Sequence, residues 1–97
     1  RGLFSVNLRC TLMLAEAVRT LGLQRRVFAV GSDLCDESAQ ALRQGELFCL
    51  ISKNPVEQGR LAVKRLTGYL LHGHRPESET EFLRSELIFQ SNLEQFL

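Results

Sequence analysis

The sequence predicts an α/β fold with a mainly parallel sheet, its elements alternating in the order β-α-β-α-β-α-β. Three observations predict it. Short apolar runs at residues 3–6, 26–30 and 47–51 lack in–out alternation, the pattern of parallel strands covered on both faces. Stretches with helical spacing separate them, as right-handed crossovers between parallel strands require. Each strand run also ends in small or polar residues: Asn7, then Gly31-Ser32-Asp33, then Ser52-Lys53-Asn54-Pro55.

The first helix follows Asn7, a good N-cap residue. Leu8, Leu12, Ala15 and Val18 recur at spacings of four and three, and Leu14, Ala17 and Leu21 widen the stripe enough to lie on a sheet. Gly22 is placed to end this helix in the left-handed conformation. After the second strand, Asp36 is expected as N-cap of a short helix. Glu37 in its first turn suits the helix dipole, Ala39 and Leu42 are expected to be buried, and Gly45 stops it.

The third strand leads to Pro55, favoured at the first position of a helix. That helix runs to His72-Gly73. Its apolar face carries Val56, Gly59, Val63, Leu66 and Leu70, and its opposite face carries Glu57, Arg60, Lys64 and Arg65. A polar turn at residues 74–80 precedes a last strand at 86–89, and residues 91–97 suit a short terminal helix.

Ninety-seven residues make one domain or part of one. A formal net charge of +1 points to no nucleic-acid or membrane partner for this stretch itself. No apolar run approaches the roughly 20 residues that span a bilayer. Cys10, Cys35 and Cys49 lack metal-ligand spacing and read as reduced thiols of a cytoplasmic protein. The chain opens on Arg1 and directly enters an apolar run, which reads as a piece of something longer.

The motifs exclude several chemistries. Asn7-Leu8-Arg9-Cys10 stands where a dinucleotide-binding protein has its glycine-rich loop, so no nucleotide cofactor is expected. Ser32 has no G-x-S-x-G setting, and neither histidine is placed as its base. His72 and His74 flank a helix end without further ligands, so no metal is expected. What remains is Asn7, Asp33 and Lys53, each at or just beyond the end of an expected parallel strand. Ligands of open α/β sheets bind at that edge. Turn and cap chemistry accounts for Asn and Asp at such places equally well.

In combination, VFAVGSDL, ALRQGEL, ISKNPVEQGRLAVKRLTGYLLHG and SELIFQSNLEQFL resemble the carboxyl-terminal part of periplasmic-binding-protein-like domains. Such domains occur in sugar-transporter binding proteins and in effector domains of LacI-family (lactose-repressor) transcriptional regulators, and GSDLCDESAQALRQGEL is most similar to the regulators. The resemblance implies a three-layer Rossmann-like half of that fold, with residues 1–97 a fragment of a ligand-binding domain whose upstream lobe and DNA-binding domain lie outside it. It implies sugar contacts from Asn7 and Asp33. Lys53 stands where many members have Gln, and Leu8 where many have Asp. A lysine there suits an anionic sugar derivative, or faces solvent.

The function so implied is effector sensing, with a sugar or other small polar ligand. The protein would be a homodimer in the cytoplasm, with DNA reached only through an N-terminal domain, no membrane contact and no catalysis. A sugar-transporter binding protein is the alternative, and a small Rossmann-like enzyme the second. In two-lobed domains of this kind the chain crosses between lobes. Residues 52–55 would be one crossing, with helix 55–72 in the other lobe and strand 86–89 returning.

Overall fold

A computed structural model describes all residues, Arg1–Leu97, and the chain divides into two compact units. The first comprises Arg1–Ser52 and Glu86–Leu97, and the second Lys53–Ser85.

The first unit is a four-stranded sheet in the order β1-β2-β3-β4, formed by β1 (Gly2–Phe4), β2 (Phe28–Ser32), β3 (Cys49–Ser52) and β4 (Glu86–Ile88). β1 pairs parallel with β2, placing Phe4 opposite Val30. β2 pairs parallel with β3, placing Ser32 opposite Ile51. β4 runs antiparallel to β3, with Leu50 opposite Ile88. Helices α1 (Leu8–Thr20) and α2 (Asp36–Arg43) fill the first two crossovers. α1 packs on β2 and against α2.

The core lies between these helices and the sheet. Leu42, Leu50, Ile88, Leu93 and Val18 are its largest fully buried apolar side chains, and Leu93 arrives on a short 3-10 helix, Leu93–Phe96. On α1 the buried residues are Thr11, Ala15 and Val18. The expected stripe is therefore narrower than its apolar letters suggest: Ala17 and Leu21 are exposed. The helix ends as expected, with Gly22 at φ 65°.

One cap differs from expectation. α2 is capped by Cys35, not Asp36. Ser38 Oγ accepts the Cys35 N–H at 2.8 Å, and Cys35 Sγ accepts the Ser38 N–H at 3.4 Å. Asp36 has no serine three residues on with which to form this reciprocal pair, and becomes the first helical residue.

The second unit consists of α3 (Pro55–His72) and the extended residues that follow it. Pro55 starts α3 and Gly73 closes it at φ 68°. No residue of α3 is buried. Its guanidinium Arg65 binds the Glu81 carboxylate through two nitrogens, each at 3.0 Å. No helix in the chain is long and apolar enough to cross a membrane.

Candidate functional site

The candidate site begins at the carboxyl ends of β1 and β2. These neighbours run parallel, so both chains leave the sheet on the same edge. One continues through Ser5 and Val6 into Asn7 and α1, the other through Asp33 and Leu34 into Cys35 and α2.

Asn7 caps α1. Its Oδ1 accepts the Cys10 N–H at 2.9 Å, satisfying one of the donors that a helix start leaves without a partner. The cap uses only the amide oxygen, and the amide NH2 can serve a ligand. Asp33 sits at φ 73°, in the left-handed region that Asp tolerates better than most residues. Its N–H donates to Ile51 O at 2.9 Å and its carbonyl accepts from Ser38 Oγ at 3.1 Å, so its backbone is pinned from both sides. No salt bridge engages its carboxylate.

Beneath this edge lies a group of hydroxyls that sequence reasoning missed. Ser5, Thr11 and Ser32 are all buried. Thr11 Oγ1 donates to Asn7 O at 2.8 Å and accepts the Ser32 N–H at 2.8 Å. Ser5 Oγ lies 2.7 Å from Thr11 Oγ1, and Ser32 Oγ donates to Ser5 O at 2.9 Å. A threonine hydroxyl has one proton and two acceptor sites. With its proton on Asn7 O, Ser5 must donate to it, and every site is then used.

This group ties both strand ends to the start of α1. It also explains Gly31, because a Cβ there would meet Thr11 Cγ2 at 2.3 Å. The hydroxyls come together across intervals of 6, 21 and 27 residues, so no local pattern marks them. The only sequence signal was Gly-Ser at the end of an apolar run.

Lys53 directly follows Ser52, the last residue of β3, and opens the second unit. It is exposed, and its carbonyl accepts from Gln58 Nε2. Asn7 and Asp33 thus share the first unit, and Lys53 belongs to the second.

The other side chains weighed in the sequence have local settings. Cys35 is the α2 cap, and a hydrogen bond from its side chain is the main reason the Glu37 carboxyl titrates below its ordinary range. Burial pushes the Cys49 thiol up. His72 and His74 are exposed at the end of α3, their rings 5.5 Å apart.

No family model matches the chain, and no curated protein matches it. Solved structures do. GanP, a glucose-galactose binding protein from Geobacillus stearothermophilus, superposes with a TM-score of 0.83 at 17% identity, over 95% of this chain and 32% of its own. A Bacteroides fragilis protein assigned as a LacI transcriptional regulator gives 0.81 at 19% identity, over 97% and 31%. A carbohydrate transporter solute-binding protein from Agrobacterium radiobacter, in complex with D-arabinose, gives 0.82 at 22% identity, over 95% and 30%. The chain spans about a third of the length of these proteins. It has their periplasmic-binding-protein-like α/β fold, in which sugar-binding proteins and a regulator both occur.

Proposed function

We propose that the chain is the carboxyl-terminal part of the effector-binding domain of a LacI-family transcriptional regulator, and that its ligand is a sugar or sugar derivative. The observation that carries this reading is the pairing of Asn7 and Asp33. An amide and a carboxylate stand just beyond the carboxyl ends of two adjacent parallel strands, in a fold shared with sugar-binding proteins. Neutral polyols are held by such pairs: the Asn7 NH2 donates to a ring or hydroxyl oxygen, and the Asp33 carboxylate accepts from hydroxyls. A carboxylate acceptor strengthens each bond roughly twofold over a neutral one. Lys53, which follows the last residue of β3, is the third residue proposed to contact oxygen or charge.

In the intact protein two lobes close on the ligand. The sugar binds the closed form better, and that difference in affinity shifts the geometry of a dimer. DNA is reached only through a separate N-terminal helix-turn-helix domain. The protein works in the cytoplasm and catalyses nothing.

The second reading is a substrate-binding protein of a sugar transporter, favoured by the solute-binding proteins among the structural neighbours. Three free cysteines favour the regulator, because exported proteins usually pair theirs. The sequence upstream of Arg1 in the reading frame separates the two. A helix-turn-helix of about 60 residues supports the regulator. A signal peptide makes the protein an exported binding protein and removes the dimer switch.

The pocket is tested by calorimetry on the whole protein with pentoses and hexoses. Asp33→Asn keeps a residue that tolerates the left-handed backbone and removes the charge. It is expected to weaken sugar binding about tenfold or more. Unchanged affinity would remove Asp33 from the pocket. Millimolar or tighter sugar binding by residues 1–97 alone would show that the other lobe is not needed and overturn the two-lobe assignment.

A further inference from the structure

The opposite edge of the sheet carries an aromatic-lined cavity. At the amino ends of β2 and β3, Phe28 and Phe48 meet edge to face with ring centroids 5.0 Å apart, and Phe48 meets Phe89 in the same way at 5.6 Å. Phe89 follows β4, whose antiparallel course brings its carboxyl end to this edge. The rings border a cavity of about 500 Å³, whose apolar lining includes Leu42 and Leu47. Phe28 and Phe48 remain 57% and 49% exposed. Phe28 and Asp33 bracket β2, so the cavity lies roughly 16 Å from the candidate sugar site, at about 3.3 Å per residue.

Arg25 supplies the cavity's one charge. No carboxylate lines the cavity, and no carboxylate of the chain pairs with Arg25. The Arg25 side chain lies against Gly45, where a Cβ would come within 2.9 Å of its Nε. The glycine therefore admits the guanidinium stem to the cavity wall. A planar guanidinium without a carboxylate partner beside three aromatic edges has a defined complement. It suits a flat apolar body carrying one carboxylate, with the guanidinium fork on the carboxylate and the rings against the body.

We propose that this cavity binds a small aromatic carboxylate, at a site separate from the sugar pocket and independent of that assignment. The test uses 2-naphthoate, with 2-naphthalenemethanol as its uncharged counterpart, titrated into the protein and followed by NMR. Saturable shifts are expected at Phe28, Phe48 and Phe89, with naphthoate bound more tightly than the alcohol. Arg25→Gln keeps the apolar stem and removes the charge. It is expected to weaken naphthoate about tenfold and leave the alcohol unchanged. Should Arg25→Gln fail to fold, the preference of the unaltered protein for acid over alcohol, and its loss in high salt, decide the question. Equal affinity for the two probes overturns the proposal. So do shifts confined to residues other than Phe28, Phe48 and Phe89.

Discussion

Thr11 uses its whole hydrogen-bonding capacity inside the fold, so it is where a single substitution should be most informative. Thr11→Val preserves shape but leaves the buried Ser32 N–H and the Ser5 hydroxyl without their partner. Each orphaned group should cost about 1–3 kcal/mol, read in urea unfolding, and Thr11→Ser should restore most of it. Asn7 needs a different substitution, because it has both a cap and a proposed ligand role. Asn7→Asp keeps an oxygen for the Cys10 N–H, so stability should change by no more than about 0.5 kcal/mol. It removes the NH2 donor, so sugar affinity of the whole protein should fall in calorimetry. Parallel loss of both would mean that the ligand role is only the cap seen indirectly. The cap was legible because Asn immediately precedes an apolar period of helical spacing. The hydroxyl group was not, because its members are joined by the sheet register and not by local sequence.

At the scale of elements, the alternation of strand and helix was legible throughout, and α3 was placed from Pro55 to His72. Strand limits moved because apolar letters do not show where pairing starts: Val27 and Leu47 precede their strands, while Ser32 and Ser52 end them. The α2 cap was misread because Asp outranks Cys as an N-cap, yet Ser38 lies three residues after Cys35 and not after Asp36. A thiol is a weak acceptor. Cys35→Ser should therefore strengthen the reciprocal pair and raise stability by about 0.5–1 kcal/mol in denaturant unfolding. The tie between α3 and the segment after it should depend on pH. Hydrogen bonds from Arg65 hold the Glu81 carboxyl below its ordinary range. The sign follows from that depression: the contact is fully present above the ordinary carboxylate pKa and is lost as pH falls through the lowered one. The Arg65 Nε–H resonance in NMR should therefore hold its position from neutral pH to about 5 and shift below about 4, the region of an unperturbed Glu. Both side chains are half exposed, so added salt should weaken the contact at every pH.

For the whole molecule, the division at Lys53 and Ser85 coincides with two places where the sequence already changes character, the polar hinge at residues 52–55 and the approach to the last strand. The first unit buries a core of its own, drawn from α1, α2, three strands and the terminal turn. The second buries nothing along α3, where Val63, Leu66 and Leu70 remain 66%, 58% and 68% exposed at helical spacing. One such residue would be ordinary, but a continuous stripe marks a surface that another body covers. In the two-lobed reading, that body is the rest of the domain. When residues 1–97 are alone, a second copy is the apolar surface at hand, and association through α3 should make the chain a dimer at micromolar concentration in sedimentation. Leu66→Glu combined with Leu70→Lys should return it to monomer. The same pair should leave thermal unfolding of the first unit in place, because neither leucine belongs to that core. A monomeric unaltered chain would remove the dimer, and a dimer that survives both charges would move the interface off α3.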